Sequence, residues 1–314
     1  MIIIKKKRVR RIQMTDSFYM CGKYADAIVY THDVEKTAVK QIHRILNHPA
    51  FQIRNDEKIA IMPDCHAGAG TVIGFTMPVT DKIVPNVIGV DINCGVIGFN
   101  LGNIEIDYHR LDEIIHESIP GGMNIREKTL TTNAEFKEAG RLKDLCKRIG
   151  HDYSYALRSI GTLGGGNHFI EIDEDQETEE KWLVVHTGSR KLGYDTARYY
   201  QNLADEEHSN GDLSYLTGNL VKDYYRDMQI ASDFANVNRA AITSIILMHM
   251  GLIPKHTVAS QHNYIDSKDK IIRKGAISAH EGEEVIIPLN MAEGCIIGIG
   301  KGNKKWNYSA PHGL

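Results

Sequence analysis

This sequence has no excess of basic charge, few cysteines and no long apolar run, and each shortage narrows the range of functions. Lys and Arg number 37 against 40 Asp and Glu, a formal net charge of −3. No global basic field marks the chain as a nucleic-acid binder, so a polyanionic partner would have to be held by a local patch. The five cysteines, Cys21, Cys65, Cys94, Cys146 and Cys295, are odd in number and widely spaced. They do not read as a disulfide framework and suit a reducing, cytoplasmic setting. No stretch reaches the ~18 apolar residues of a membrane span. At the N-terminus the apolar residues Met1 to Ile4 precede the basic run Lys5, Lys6, Lys7, Arg8, Arg10 and Arg11. A secretory signal has the opposite order. The basic run reads as a solvated strand or edge, or as a surface for the phosphates of a polyanion.

No internal repeat, low-complexity tract or Pro/Ser-rich linker divides the chain. Its 314 residues, 42% of them hydrophobic, can bury a sizeable core. The expected organisation is a single α+β domain over residues 1–314, with helical insertions. Residues 32–46 read as a helix, with Val34, Ala38, Ile42, Ile45 and Leu46 on one face and His32 or Asp33 as N-cap. Pro49 lies just past its end. Further helices are expected over 112–118, 133–149 and 215–250, the last with a break near Gly218. Strands are expected over 58–62, 70–79, 87–101, 182–185, 284–289 and 295–300. Their continuous apolar, β-branched runs suggest burial on both faces.

The chemistry-bearing residues sit at the ends of these runs, where loops present functional groups. Residues 62–68, Met-Pro-Asp-Cys-His-Ala-Gly, bring Asp64 and His66 together, as a metal half-site or a structural turn. In residues 89–95, Asp91 and Cys94 stand three apart between glycines. A tight loop would aim both at one point, a plausible half-site for a borderline divalent metal, or else a turn Asp beside a small buried Cys. Residues 163–171 join three glycines to Asn167, His168, Phe169, Ile170 and Glu171. The glycines free the backbone to approach a ligand, and exposed amides suit phosphate. No Gly-Lys-Ser/Thr follows, so this is not a Walker loop. His186 leads into Thr187-Gly188-Ser189-Arg190, where the Arg190 fork could grip a phosphate. His262 and Asn263 form a polar pair, followed by Arg273-Lys274-Gly275. The chain ends on Ser309-Ala310-Pro311-His312-Gly313-Leu314. A neutral histidine is a competent nucleophile toward phosphorus, whereas a chain end is commonly frayed.

Together these motifs, MPDCHAG, GVDINCGV, GGGNHFIE, VVHTGSR, QHN, RKGA and SAPHG, run in order from residue 62 to 313. The series resembles the RtcB family of tRNA-splicing and RNA-repair ligases. Asp227, Met228, Ala231, Phe234, Ala235, Asn238 and Arg239 also resemble the family's central helix. The resemblance implies a domain whose central strands frame a metal cleft. It implies Asp91, Cys94, His168, His186 and His262 as ligands of two Mn²⁺ ions. It implies GTP as the nucleotide, held by Asn167, His168, Phe169, Ile170 and Glu171 and by His262 and Asn263. His312 matches the histidine that becomes guanylylated. Asp64 matches an acidic residue near the metals, and Lys274 a basic residue near the substrate. The partner implied is RNA with a 3′-phosphate or 2′,3′-cyclic phosphate on one end and a 5′-hydroxyl on the other. Some lineages add a small activating protein, archease; no membrane is involved. Raw affinity of the N/O/S donors would favour Zn²⁺, so Mn²⁺ comes from the resemblance alone.

Two departures stand out. The family's Pro-Gly-Ser-Met and the serine after it are matched here by Pro288, Leu289, Asn290 and Met291, then Cys295. Leu289 restricts a backbone that glycine leaves free. The family also continues past its His-Gly with Ala-Gly-Arg and a lysine that contacts guanine, so the expectation is a chain lacking that tail. Two other functions therefore stay open beside the ligase: a metal-dependent RNA-end phosphodiesterase or phosphatase, and a non-catalytic RNA-end-binding protein.

Overall fold

A computed structural model describes residues 17–53, 57–130 and 139–313. The basic run at 5–11 and the first part of the helix expected over 133–149 lie outside them. In chain order the elements are β1 (Phe18–Cys21), β2 (Asp26–Val29), α1 (Lys36–Leu46), β3 (Ile59–Ile61), β4 (Phe75–Pro78), α2 (Pro85–Ile88) and β5 (Gly95–Gly102). There follow α3 (Tyr108–Ser118), α4 (Ala139–Ile149), α5 (Tyr153–Ser159), β6 (Phe169–Glu174), β7 (Lys181–Thr187), α6 (Arg190–Glu207) and α7 (Gly218–Met250). The chain then runs through β8 (His256–Gln261), β9 (Tyr264–Ile265), β10 (Ile271–Lys274), β11 (Ala276–Ser278), β12 (Glu284–Asn290), β13 (Gly294–Ile299) and β14 (Ser309–Pro311). The fold is α+β, as expected.

Two sheets position the site. One has the order β1-β2-β3-β4-β10-β9, and the other β6-β7-β5-β8. The second is antiparallel throughout, with Val96 opposite both His186 and Ser260. Its register therefore sets Cys94, His186 and His262 at one end of three adjacent strands. The strand interiors are apolar and buried; Leu183, Val184 and Val185 have no exposed surface. Helix α7 packs along this sheet through Ile242 and Ile246. The β12–β13 hairpin covers the sheet's other face, with Ile286 against Val96, Val184 and Val258.

Several expectations shift. Helix α1 starts at Lys36 with Glu35 at its N-cap, which makes no side-chain capping bond. Neither His32 nor Asp33 therefore caps it. Helix α3 starts four residues early because Asp107 caps it, its carboxylate accepting from Arg110 N. Helix α7 begins at Gly218 and is continuous. The apolar run at 87–101 is not one strand. Pro85 opens the short α2, Gly89 turns with φ of 91°, and β5 begins only at Gly95. Only Phe75–Pro78 of the expected 70–79 strand pairs. Among the described residues no helix is long and apolar enough to cross a membrane.

Candidate metal centre

The loop between α2 and β5 brings Asp91 and Cys94 into one turn, Cys94 N donating to Asp91 O at 3.3 Å. Asn93 makes the turn possible with a left-handed φ of 56°. Cys94 Sγ lies 3.1 Å from His186 Nε2 and 3.4 Å from His168 Nε2. His168 Nε2 is also 2.9 Å from Asp91 Oδ2. The His262 ring stands 5.4 Å from that of His186, centroid to centroid. Two triads result, Cys94–His186–His262 and Asp91–Cys94–His168, each with its ligand atoms within 4.8 Å of one another. Cys94 belongs to both.

Two histidines are oriented from behind. His168 Nδ1 is 2.9 Å from Leu163 O, and His186 Nδ1 is 3.0 Å from Asn167 O. A carbonyl only accepts, so each Nδ1 carries a proton; His186 Nε2 offers a lone pair to the centre, while His168 Nε2 faces the Asp91 carboxylate, a position a cation would take over. That is the arrangement of metal-ligating histidines. Burial pushes His186 down to about 3 and His262 well below the usual imidazole range, with neighbouring histidines adding to both. Both are therefore neutral at physiological pH, as ligands must be. Burial, then the Asp91 charge, holds the Cys94 thiol well above its ordinary value. Burial would raise Asp91 too, but the His168 hydrogen bond and charge outweigh it and hold the carboxyl low. A buried thiol and carboxylate facing two neutral imidazoles lack a positive charge at their centre. The donor set thus fits one or two divalent ions sharing Cys94.

Helix α7 fastens the loops that carry these groups. Arg239 is 3% exposed and donates through NH1 to Asn93 O and Thr187 O, both at 2.8 Å. Asn238 accepts from Gly161 N and donates to Thr162 O and Gly188 O. The glycines serve close approach: a Cβ on Gly188 would sit 2.2 Å from Asp91 Oδ1.

His312 lies against the same centre. Its ring centroid is 4.8 Å from that of His262, and its Nδ1 is 2.9 Å from Asp64 Oδ2. Gly313 N donates to the same oxygen at 3.2 Å, while Asp64 Oδ1 is buried without a partner. Residues 309–313 therefore form a pinned strand end: β14 pairs with β11, and a Cβ on Gly313 would meet Pro288 O at 1.7 Å.

Other expected residues are placed as follows. Asn167 is exposed at the loop tip. Phe169, Ile170 and Glu171 open β6, with Phe169 5.4 Å from the His186 ring. Asn263 uses its amide on Asp91 O and Gly275 N. Pro288 to Met291 form the β12–β13 tip, where Met291 is 72% exposed. Cys295 Sγ is 3.7 Å from Glu171 Oε1. Lys274 is buried and bonds Ala69 O and Asn86 O, and burial lowers it to about 8. Arg190 bonds Thr162 Oγ1 through Nε and Gly122 O through NH2, and so braces two loops. Residues 121–122, which pair with Gly164, and Asp173 are neighbours that the motifs did not single out. A polar cleft of about 550 Å³, lined by Asn93, Gln261, Tyr264 and His280, opens beside the centre.

The family profile described as tRNA-splicing ligase RtcB matches residues 41–146 and 131–314. The chain belongs to the RtcB family. It is 30% identical to the RNA-splicing ligase RtcB of Escherichia coli K12 over 297 residues, covering 81% of this chain and 72% of that protein. It is 27% identical to the tRNA-splicing ligase RtcB of Aeropyrum pernix over 387 residues, covering 91% and 79%. A tRNA-splicing ligase RtcB of Methanococcus maripaludis is also 27% identical, over 70% of this chain and 56% of that protein. All seven motifs of the family series lie within the matched residues.

Proposed function

We propose that this chain is an RNA ligase that joins a 3′-phosphate or 2′,3′-cyclic phosphate end to a 5′-hydroxyl end, using GTP through a covalent His312–GMP. The observation that carries this reading is the position of His312, anchored at Nδ1 by Asp64 with its ring against His262. A carboxylate at Nδ1 fixes the proton there and leaves the Nε2 lone pair for attack on phosphorus. The names of the relatives, RNA-splicing and tRNA-splicing ligases, support the same reading.

On this reading residues 1–314 act as one ligase domain. Two Mn²⁺ ions, held by Cys94 with His186 and His262 and by Cys94 with Asp91 and His168, would neutralise the triphosphate and the charge developing at phosphorus. Asn167, His168, Phe169, Ile170 and Glu171 would line one side of the nucleotide site. His262 and Asn263 would close its floor. Pro288, Leu289, Asn290, Met291 and Cys295 would form the facing wall. Water opens a cyclic end to the 3′-phosphate. His312 Nε2 attacks the α-phosphorus of GTP; the N–P bond forms, the bond to the β-phosphate oxygen breaks, and pyrophosphate leaves. An RNA 3′-phosphate oxygen then displaces His312 and takes the GMP. The 5′-hydroxyl of the second strand attacks the RNA phosphorus, the phosphodiester forms, and GMP leaves. Asp64 holds the imidazole in one tautomer through both exchanges at His312. In lineages that use archease, that protein would be the activating partner.

The test is incubation with α-labelled GTP and Mn²⁺, followed by a denaturing gel, with His312→Ala as control. Mn²⁺-dependent label that vanishes in the control is the expected result. A folded, metal-loaded chain that takes no label would overturn the covalent mechanism. Cyclic-phosphate opening without label would identify a phosphodiesterase instead.

A further inference from the structure

The turn that leads into β14 carries an aromatic and basic surface that the chemistry at His312 does not use. Residues 294–314 contain three lysines, Lys301, Lys304 and Lys305, and no Asp or Glu. In a chain of net charge −3 this is the kind of local patch that a polyanion needs. All three lysines are exposed, and no ion pair holds their side chains among the described residues. Trp306 closes a helical turn at Lys304–Trp306 and stacks on Tyr30, with ring centroids 4.3 Å apart. The Tyr30 hydroxyl donates to Lys305 O at 2.6 Å, so the turn is latched to the end of β2. Tyr19 extends the surface. It is 64% exposed, stands near enough to Tyr30 to add to the upward push that burial gives that hydroxyl, and carries Lys58 Nζ 4.9 Å from its ring centroid. The turn is fixed in advance. Asn307 and Tyr308 both hold a left-handed φ of 50°, uncommon for residues other than glycine. The Asn307 amide donates to Lys58 O and Thr76 O, and Tyr308 stacks on His280.

We propose that Tyr19, Tyr30 and Trp306, with Lys58, Lys304 and Lys305, form a landing surface for single-stranded RNA a few nucleotides away from the end that reacts at His312. The identity of the partner rests on the ligase reading above. Aromatic faces accept any base, and lysines beside them neutralise the phosphates between bases. A duplex hides its bases within the stack, so the surface favours a single strand. Packing alone does not account for it, because Tyr30 and Trp306 stay partly exposed and Tyr19 largely so. The place is right. Trp306 stands six residues before His312, and six residues of extended chain span at most about 22 Å. Tyr30 N donates to Ile61 O at 3.0 Å, at the end of the strand that runs on to Asp64. The two sides of the surface therefore flank the two segments that carry the His312–Asp64 pair. Since the turn is already set, the strand gains stacking without having to order the protein.

The test uses tryptophan emission. The chain has two tryptophans, Trp182 and Trp306, so a Trp182→Phe chain reports on Trp306 alone. A single strand of about ten nucleotides with a 3′-phosphate, within the range of single-strand binding sites, should quench Trp306. A 3′-phosphorylated mononucleotide, which reaches only the centre, should not. Trp306→Ala should weaken binding of the strand by about 5- to 150-fold, the cost of one base–aromatic stack. Trp306→Phe should recover most of that loss, and it keeps the comparison open should the alanine variant not fold. Lys304→Ala/Lys305→Ala should lower the slope of log affinity against log salt by about 1.4, at ~0.7 per phosphate contact. Absence of quenching, whether or not the strand binds elsewhere, would overturn the surface. So would an unchanged salt slope in the lysine variant, or equal quenching by a blunt duplex. The titration needs neither GTP nor metal. Quenching in a chain that takes no GMP label would leave the surface standing and the covalent mechanism fallen; label on His312 without quenching would do the reverse.

Discussion

His312 Nδ1 and Asp64 Oδ2 meet at 2.9 Å across 248 residues of sequence. The contact joins the loop after β3 to the last strand, and it is the feature that distinguishes His312 from the histidines aimed at Cys94. Asp64→Asn keeps the shape but replaces an oxygen that only accepts with an amide that can present N–H instead. The imidazole then loses its fixed tautomer. Covalent labelling by GTP should slow by about 100-fold or more, the range of a positioned proton-transfer partner. Asp64→Glu should recover part of it. Single-turnover label incorporation measures both, with a thermal melt to confirm the fold. An unchanged rate in Asp64→Asn would remove Asp64 from the mechanism.

Arg239 offers a second test. Its guanidinium lies under the centre, joins Asn93 O to Thr187 O, and is held down to about 10 by burial. Its charge also lowers the Cys94 thiol. Arg239→Met should strand both carbonyls, at about 1–3 kcal/mol each, and weaken divalent-metal affinity as well. Chemical denaturation with and without metal separates the two effects. A variant with lowered stability but unchanged metal affinity would limit Arg239 to holding the loops.

Gly164 is a third. Its φ is 93°, and a Cβ there would meet Arg190 NH1 at 1.9 Å and His168 Nδ1 at 2.8 Å. Gly164→Ala should cost about 1–3 kcal/mol in backbone strain alone. It should also swing His168 off Asp91 and reduce the number of bound metal ions, read by equilibrium dialysis. Gly150, with nothing within 4 Å of its Cβ, is the control: Gly150→Ala should leave metal binding intact.

The motifs of the candidate metal centre were legible in the sequence because each is a dense polar cluster at the end of an apolar run. Asp91, Cys94, His168, His186 and His262 all come together. Helix α6 was not foreseen. Its buried face is made of Gly193, Thr196, Ala197, Gln201 and Ala204 beside Leu192 and Tyr200, so small and polar residues blur the apolar period. The run at 87–101 misled for the opposite reason: uniform apolarity hid the break that Pro85 and Gly89 impose. The brace made by Arg190 was invisible because a guanidinium bonded to a backbone carbonyl leaves no mark in the local pattern. Asp173 is a single acid inside a strand, and nothing in the local pattern shows that β13 brings Cys295 near it.

Asp173 also gives a prediction about pH. In the metal-free protein the folded carboxyls of Glu171 and Asp173 are raised above their unfolded values of 4.5 and 3.8, to about 8 and about 6. Between those values the folded state holds protons that the unfolded chain has released. Stability from this pair is therefore fully present at low pH and declines as pH rises through that window. His186 and His262 act with the opposite sign. They are kept neutral by burial, so their contribution is present above about 6.5 and lost as pH falls toward the lowered folded values. A simple pH profile mixes the two, but a difference between variants does not. Asp173→Asn removes one carboxyl and the repulsion it exerts on Glu171, and leaves both histidines untouched. Metal-free wild type should therefore lose melting temperature relative to Asp173→Asn as pH goes from 5 to 8. A difference that stays flat with pH would mean the pair does not titrate in this window.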